Sequence, residues 1–574
     1  MAALARGVGR GACSCGVAAG LGCGSPEPRS HRKGVEVGVA QYPTSTTEVA
    51  NVIADLDTRC GELYASGDEL LPAGQAGSDR AAGFACSREQ FDSLVGFLDG
   101  TDAAGLSHAE LEERLEVDGR ELLRRLLDDH LALRALRERR LERVVGDEEV
   151  VRGRVESGHV RALETVFGTV SVERLAYRAP GVANLHPADA ALNLPVERHS
   201  HALRKLAALE VARGSYQDAG DAIERSTGVR LGKRQVQELA TLAAIDFEGF
   251  YEARRPARAK PDELLVLSCD GKGIVMRPDA LRSATAARAR AGPQPKPRLS
   301  REDQRNRKRM AEIGAVYDAT PAPRTPADIL ASTTPADDQP APGPVASNKW
   351  LCASVVSDAA VVIARVFDEA QRRDPKHRRT WVALVDGNSH QIQRIKYEAK
   401  NRAVNVTIIC DFVHVLQYLW SAASCLHPDS DPATLQDWVH RQAVRVLEGR
   451  ATKVAGQIRR EATNARLDPT RRKPADDAAG YLTTLAPYLD YPTALNSGWP
   501  IATGIIEGAC RHLVKDRMDI TGARWGLAGA EAVLKLRAIK VNSDFDAYWQ
   551  FHLNQERHHV HEARYRDHQL PFAT

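Results

Sequence analysis

Three acidic residues carry the clearest chemical signal in this chain of 574 residues. Asp270 lies in CDGKG and Asp386 in VDGN, each expected at a strand end and followed by glycine, while Glu507 lies on a later helix in GIIEGACRH. Phosphodiester cleavage can use two divalent ions, about 3.5 to 4 Å apart, that activate water and hold the leaving oxygen. Because such ions prefer oxygen ligands, the three acids predict a site for two Mg²⁺ or Mn²⁺ ions.

Each acid also has a simpler explanation. An aspartate at a strand end is often a turn or helix cap. Glu507 precedes Arg511 by four residues, which is the spacing of an ordinary helical ion pair. The glycines that follow Asp270 and Asp386 favour the metal site, because glycine lets the backbone approach a phosphate closely.

The segment DFVH places Asp411 and His414 three residues apart. An N-cap at Asp411, with His414 on the first turn of the helix, explains this segment most simply. The alternative is a zinc site of Cys410, His414, Cys425 and His427, although CxxxH followed by CxH is not a usual zinc spacing. The P-loop frame GxxxxGK[ST] and the zinc motif HExxH do not occur in the sequence.

A sheet is needed to bring these acids together. Apolar runs predict three strands and then alternating helices and strands, the order that ribonuclease H-like nuclease cores use. Seven prolines between Pro321 and Pro344 predict a loop within this region. The predicted elements are strands at 263–270, 312–319 and 350–356, a helix at 358–373, a strand at 380–386, a helix at 389–402, a strand at 404–411 and a helix through Trp420.

The region before this sheet is expected to be mostly helical. Ser107 and Glu110 form a capping-box pattern. Leucines spaced by 4 and 7 then predict a long amphipathic helix that packs within its own domain, with a partner helix as the alternative. The segment 166–178 alternates as a half-buried strand does. The leucines are Leu111, Leu115, Leu122, Leu126 and Leu133.

A helix-turn-helix pattern follows. Ser215 can cap a helix over 216–227, Gly228 permits a tight turn, and a second helix is expected from about 231. The second helix of such a unit lies in the DNA major groove with its first side chains near base edges. Those side chains would be Lys233, Arg234 and Gln235. Two short helices around a glycine also occur in ordinary packing.

The total charge, with 78 Lys and Arg against 75 Asp and Glu, does not identify a nucleic-acid binder. Residues 282–324, however, contain eleven Lys and Arg and only four acids. Such a run is usually a solvated face, but beside a carboxylate site it would bind phosphates. Trp525 is typical of a core residue, although beside Arg524 it could stack on an unpaired base. The expected phosphate contacts are Lys272, Arg277, Arg307, Lys308, Arg309, Arg511, His512, Lys515 and Arg524.

Ten scattered cysteines without a CxxC pair indicate reduced thiols. No apolar run approaches the roughly 18 residues that a membrane-spanning helix needs, so we expect a cytoplasmic protein without a membrane partner.

Several long blocks of this sequence resemble one family. They include LSCDGKGIVMRPDALR, WVALVDGNSHQI, CDFVHVLQYLW and GWPIATGIIEGACRHLVKDRMDITGARWGL. Together with NRKRMAEIGAVYDATPAPRTPADIL, these blocks are similar to the ISKra-four family of insertion-sequence transposases, over about residues 106–565. Gln417 departs from the glutamate expected in the block after DFVH.

The resemblance implies a bacterial transposase of the DDE class, with a ribonuclease H-like catalytic domain and an N-terminal half that binds the terminal repeats of its element. Double-stranded DNA would be the partner, at element ends and target, with a homo-oligomer in the synaptic complex and the protein on the nucleoid when bound. Asp270, Asp386 and Glu507 would be the catalytic acids. Asp411 is the rival for the second position; otherwise it is auxiliary, with His414.

The expected fold is therefore a multidomain α+β and α/β chain. A catalytically inactive DNA-binding relative that acts as a repressor, or a host nuclease of this fold, are the alternative functions. The expected segments are a disordered leader at 1–45, a helical region with a short β segment at 46–200, a helix-turn-helix-like module at 201–258, the first part of the core at 259–420 with a proline-rich loop at 319–347, a helical insertion at 421–495, the catalytic and C-terminal helices at 496–565 and a tail at 566–574.

Overall fold

The computed structural model describes residues 83–256, 260, 262–291, 307–330, 340–520 and 522–571. The chain divides into two units, Met1–Ala82 and Gly83–Thr574, and the described elements belong to the second. The predicted leader, the centre of the basic stretch at 292–306 and the centre of the proline-rich loop at 331–339 lie outside the described residues.

The first helices form a hairpin: α1 (Ala85–Asp99), α2 (Thr101–Ala104) and α3 (His108–Leu136). The predicted capping box of α3 is confirmed, since the Ser107 N–H donates to Glu110 Oε2 at 2.8 Å. The leucine stripe is not the packed face of α3, because Leu115 and Leu126 are each 39% exposed. Leu131, on another face of α3, is buried against Leu163, Val170 and Val172 of the strands described next.

Two antiparallel ribbons come next. The predicted strand at 166–178 is confirmed from Gly168 onward, and its Val170 and Val172 are buried as the alternation requires. Its partner strand, directly before it, was not predicted. The strands are β1 (Val144–Val145), β2 (Val151–Arg152), β3 (Arg154–Thr165) and β4 (Gly168–Arg178).

A group of helices then leads to the central sheet. The first of the two predicted short helices matches 216–227, and Gly228 ends it with φ 71°, a conformation that glycine adopts without strain. The apolar faces of the last four of these helices share one core with the sheet and the C-terminal helices, whereas Ala190 of the first packs in a separate cluster with Val144, Tyr177 and Tyr565. They are α4 (Pro187–Ala191), α5 (His201–Arg213), α6 (Tyr216–Thr227), α7 (Lys233–Leu242) and α8 (Phe247–Ala253).

The central sheet has five strands: β5 (Leu264–Val275), β6 (Lys308–Thr320), β7 (Val345–Ser354), β8 (Trp381–Val385) and β9 (Val406–Cys410). Their order across the sheet is β7-β6-β5-β8-β9. β5, β6 and β7 pair antiparallel, whereas β8 pairs parallel with both β5 and β9. Continuous burial of β8 requires helices on both of its faces, as its run of apolar residues indicates. The fold is thus a mixed sheet enclosed by helices.

The helices around the sheet start where polar residues cap them. Asp358 accepts the Val361 N–H at 3.0 Å, and Asn388 accepts the His390 N–H at 2.9 Å. These helices are α9 (Ser283–Ala291), α10 (Pro326–Leu330), α11 (Ala359–Arg373), α12 (Ser389–Asn401) and α13 (Phe412–Leu426).

The segment after α13 is helical, as expected. It consists of α14 (Pro432–Leu447), α15 (Ala451–Asn464), α16 (Pro469–Thr484) and α17 (Tyr491–Asn496). The chain then returns to the sheet with α18 (Gly504–Ala509), a π-helical turn (Cys510–Lys515), α19 (Asp516–Met518), α20 (Leu527–Val541), α21 (Phe545–Glu556) and a second π-helical turn (Arg557–His561). In the part of the chain that the structure describes, no helix combines the length and apolar character needed to cross a membrane.

Candidate metal centre

Asp270 lies within β5, and the prediction that it ends a strand is wrong. β5 continues to Val275 because residues 271–275 stay paired with β6. The half-buried carboxylate accepts the Gly271 N–H at Oδ1, at 2.7 Å, and the thiol of Cys510 at Oδ2, at 3.1 Å. A Cβ on Gly271 would lie 2.9 Å from Met310 Cε, the end of an exposed and flexible side chain that could move aside. Asp270 is therefore in the middle of β5, beyond the last residues of β5 that pair with β8, and so beside the end of β8 that Asp386 follows.

Asp386 follows the last residue of β8, as predicted. Its Oδ1 accepts the Asn388 N–H at 2.8 Å, and its main-chain carbonyl accepts the hydroxyl of Tyr481 at 3.0 Å. Gly387 has φ 99°, and a Cβ there would lie 2.5 Å from Leu485 Cδ1. The glycine thus lets α16 pack against the turn that carries Asp386.

Asp411 follows β9 and is fully buried. Oδ1 accepts the Val413 N–H at 2.7 Å, which confirms the predicted N-cap of α13. Oδ2 accepts both the N–H of Thr503, at 3.2 Å, and its hydroxyl. Thr503 directly precedes α18, but its side chain does not cap that helix and binds Asp411 instead.

Glu507 lies on α18, directly before the π-helical turn that begins with Cys510. Its side chain is exposed, and Arg511 lies 3.9 Å from Asp516, so the surface pair expected as an alternative for Glu507 does not form in this structure. Partial burial, together with the nearby carboxylates of Asp411 and Asp270, raises the pKa of Glu507. The two aspartates are therefore close enough to act electrostatically on it.

Within the described residues, one group of three side chains has the geometry to hold a metal ion. Single ligand atoms of Asp411, His414 and Glu507 all lie within 4.8 Å of one another. His414 Nδ1 is 3.0 Å from Gln417 Oε1. The other ring nitrogen, Nε2, is therefore the one that could bind an ion. Two carboxylates and one imidazole are a mixed set that a transition-metal ion can accept, while Mg²⁺ prefers an all-oxygen set.

The predicted acids do not form such a three-residue group among the described residues. The structure brings Asp270 beside the helix of Glu507 through Cys510, and it places Asp386 at the adjacent strand end. Which of Asp386 and Asp411 is the second acid stays a prediction.

The zinc alternative receives no support from the geometry. The metal-compatible group found among the described side chains contains His414 but none of the other three residues proposed as ligands. The Cys425 thiol donates to the Arg471 carbonyl at 3.0 Å. Burial and the nearby Asp386 and Asp411 raise the pKa of the Cys410 thiol to about 12, so in the absence of a metal this thiol is protonated.

The basic side chains expected to contact phosphates differ in exposure. Lys272 is two residues from Asp270 on the same strand and therefore points to the same face of the sheet. Arg309 is half-buried and donates to the carbonyls of Val355, Ala280 and Val356, so its guanidinium is engaged in the fold. The remaining expected contacts with exposed side chains are Arg277, Lys308, Arg511, His512, Lys515 and Arg524, and Arg307 is half-buried.

Trp525 is a core residue. It is 5% exposed, its Nε1 donates to the Met518 carbonyl at 2.9 Å, and the guanidinium of Arg517 lies 4.7 Å from its ring centroid. Its main chain bonds to the end of β5, where its N–H donates to the Val275 carbonyl at 3.1 Å. The expectation that it stacks on a base is therefore corrected.

At the start of α7, Lys233, Arg234 and Gln235 are all exposed. Arg234 pairs with Glu238 at 2.9 Å, one turn further along the helix. Gln235 Oε1 accepts the Gly232 N–H at 2.9 Å and so caps the helix. Lys233 and Arg234 are thus exposed cations at the start of α7, while the side-chain oxygen of Gln235 is used to cap the helix.

Sequence reasoning missed Cys510, Thr503 and Tyr481, which contact the acids from distant segments. The spacing of residues gives no sign of these contacts. No protein-family model matches the chain, and no match is found among curated proteins.

Proposed function

We propose that the chain is a metal-dependent DNA transposase with a ribonuclease H-like core. It would bind the ends of its element as a homo-oligomer, cleave phosphodiester bonds and join the freed 3′-hydroxyl to target DNA. The observation that carries this proposal is the convergence of Asp270 and Glu507, 237 residues apart in sequence, at one end of the sheet. The resemblance of the surrounding blocks to the ISKra-four transposases points the same way.

The architecture supports the proposed core. Three antiparallel strands are followed by two parallel strands that alternate with helices, which is the order expected for a ribonuclease H-like sheet. Asp386 and Asp411 stand at the carboxyl ends of the two parallel strands, where open sheets of this kind keep their ligand sites. The later helix that brings in Glu507 contributes the remaining acid.

Divalent ions bound at these acids would activate water and neutralise charge on the attacking and leaving oxygens. Asp270 would offer its carboxylate from a strand that cannot move independently of the sheet. Glu507 would offer its own from the surface, where DNA can reach it. Asp386 or Asp411 would complete the ligand set, with His414 beside Asp411.

The basic side chains would position the DNA. Lys272 lies on the face of Asp270, and the side chains of Lys308, Arg511 and Lys515 are exposed. Contacts to phosphates fix register without reading sequence. Reading of the terminal repeats is assigned to the start of α7, through Lys233 and Arg234.

The test is a nicking assay on end-labelled DNA that carries the element ends, with Mg²⁺ and with EDTA. The wild type is expected to cut only with Mg²⁺, whereas Asp270→Asn and Glu507→Gln are expected to shift the DNA in a gel without cutting it. Cleavage by these variants at the wild-type rate would contradict the assignment. A wild type that shifts DNA and never cuts it would favour the inactive DNA-binding alternative.

The same assay separates the rivals for the second acid. Asp386→Asn and Asp411→Asn each remove one candidate carboxylate. Asp411 also caps α13 and binds Thr503, so its variant needs a parallel measurement of stability. Loss of cleavage in a folded variant identifies the second acid.

A further inference from the structure

Two tyrosines of the helical insertion contact the two strand ends that carry the rival acids. The Tyr481 hydroxyl, in α16, donates to the main-chain carbonyl of Asp386 at 3.0 Å. The Tyr491 hydroxyl, at the start of α17, donates to the carbonyl of Cys410, the residue before Asp411, at 2.9 Å. Because Val385 and Cys410 are register partners on neighbouring parallel strands, these two contacts belong to adjacent strand ends.

Both rings are fixed by packing. Tyr491 is fully buried and meets the edge of Phe412, with 5.3 Å between ring centroids. Tyr481 stacks on Tyr418 of α13 at 4.2 Å. A Cβ on Gly387 would lie 3.0 Å from Tyr481 Cε2, so the turn after Asp386 fits tightly against this ring. Neither hydroxyl can leave its carbonyl without repacking of the aromatic ring that carries it.

We infer that the helical insertion holds the metal-binding strand ends in place, with Tyr481 as the positioning residue for Asp386 and Tyr491 for Asp411. The inference rests on the proposed function, because it needs divalent ions at these acids. A hydrogen bond to a main-chain carbonyl limits rotation of the peptide next to the aspartate, and so limits the directions in which its carboxylate points. Sites that bind metals tightly need such support behind their ligands.

The two tyrosine hydroxyls are expected to affect ion binding unequally. If Asp386 is a metal ligand and Asp411 is a helix cap, only the hydroxyl of Tyr481 affects the ions. If Asp411 is the ligand, the hydroxyl of Tyr491 does. The insertion is then part of the metal site in either case, although it supplies no ligand itself.

The experiment compares Tyr481→Phe and Tyr491→Phe in the full-length chain, each of which removes one hydroxyl and keeps the ring. Mn²⁺ binding is measured by electron paramagnetic resonance titration, and cleavage of end-labelled DNA is measured over a range of Mn²⁺ concentrations. Tyr488→Phe is the matched control, because its ring lies in the same insertion, 5.0 Å from Lys396 Nζ, and no contact of its hydroxyl with a strand end is seen among the described residues.

The expected result is an increase of about tenfold, the lower end of the effect of removing support behind a metal ligand, in the Mn²⁺ dissociation constant for at least one of the two variants, and none for Tyr488→Phe. Cleavage by the affected variant should recover at high Mn²⁺, which a general loss of folding would not allow. A wild type that binds Mn²⁺ and cuts DNA, with both variants unchanged in Mn²⁺ affinity, would overturn this inference alone. A wild type that binds no Mn²⁺ and cuts nothing would overturn the proposed function as well.

Discussion

The two ends of the central sheet both contain acids, but only one end neutralises them. At the end where β8 begins, Asp318 is 1% exposed and lies 2.7 Å from Arg379 and 3.7 Å from Arg373. At the end where β8 stops, no cation lies within 4 Å of the carboxylates of Asp386, Asp411, Glu507 or nearby Asp270 among the described residues. The acids at this second end accept hydrogen bonds from neutral donors instead.

This difference separates structural acids from candidate ligands. A buried charge is tolerated when it is paired or when it coordinates a metal. The pair at Asp318 meets the first condition within the protein itself. At the other end only Asp411 is fully buried, and it accepts hydrogen bonds from neutral donors, while Asp270 and Asp386 are half-buried and Glu507 is exposed. These four carboxylates have no cationic partner among the described side chains, which makes them the candidate ligands for a cation from solvent.

The largest expected effect is at the paired end. Asp318→Asn should lower the free energy of unfolding by about 3 to 5 kcal/mol, because it leaves the guanidinium of Arg379 buried without its partner. Urea unfolding followed by circular dichroism measures this. Asp368→Asn is the control, since Asp368 is 51% exposed and pairs with Arg402 at the surface, where a pair contributes about 1 kcal/mol or less. Equal losses of unfolding free energy in the two variants would mean that the buried pair at Asp318 contributes no more than a surface pair.

The next effect is stabilisation by metal. Mn²⁺ at a concentration of about 100 times its dissociation constant should raise the free energy of unfolding of the wild type by about 2.7 kcal/mol. Thermal unfolding with and without Mn²⁺ measures the gain. Asp318→Asn should keep this gain, although it starts from a lower stability, whereas Glu507→Gln should lose most of it. A gain that depends on Asp318 and not on Glu507 would reverse the assignment of the two ends.

A smaller effect is expected when an unpaired acid is neutralised without metal. Asp270→Asn removes a charge from a group of like charges and breaks no ion pair, so the free energy of unfolding in EDTA should stay within about 1 kcal/mol of the wild type, or rise. Parallel urea curves for Asp270→Asn and Asp318→Asn give the comparison. A loss as large as that of Asp318→Asn would mean that Asp270 is structural.

The smallest expected effect is a dependence on pH. The pKa of Glu507 is raised by burial and by Asp411 and Asp270, so its proton is held more tightly in the folded state. Metal-free wild type should therefore lose stability relative to Glu507→Gln as pH rises from about 4 toward 7, through the folded-state pKa. Urea unfolding of both proteins in EDTA at several pH values checks the direction. A difference that grows in the opposite direction would place Glu507 next to a cation.

The apolar part of each strand of the sheet could be predicted from sequence, and so could the helices that start at the capping residues Asp358, Asn388 and Asp411. The first residues of β6 and β7 could not, because only their pairing with the neighbouring strand makes them part of the sheet. The predicted acids also lie at one end of that sheet. The exact position of Asp270 could not be predicted, since the pairing of residues 271–275 with β6 depends on a strand about forty residues away.

Contacts between distant segments were likewise not visible in the sequence. The thiol of Cys510 on Asp270, the hydroxyl of Thr503 on Asp411 and the burial of Trp525 all follow from how α18 and the loop after it pack on the sheet. Spacing within one segment carries no information about such packing. The sequence also does not show whether Asp386 or Asp411 is the second acid, because each follows a strand and precedes a helix.

The most direct measurement is the anomalous scattering of Mn²⁺ in crystals of the full chain grown with that ion. Density is predicted among the carboxylates of Asp270, Glu507 and one of Asp386 and Asp411, with oxygen ligands at about 2.0 to 2.2 Å. None is predicted at Asp318, which has its guanidinium partners. Absence of density at the unpaired acids under saturating Mn²⁺, or density at Asp318 alone, would contradict the account.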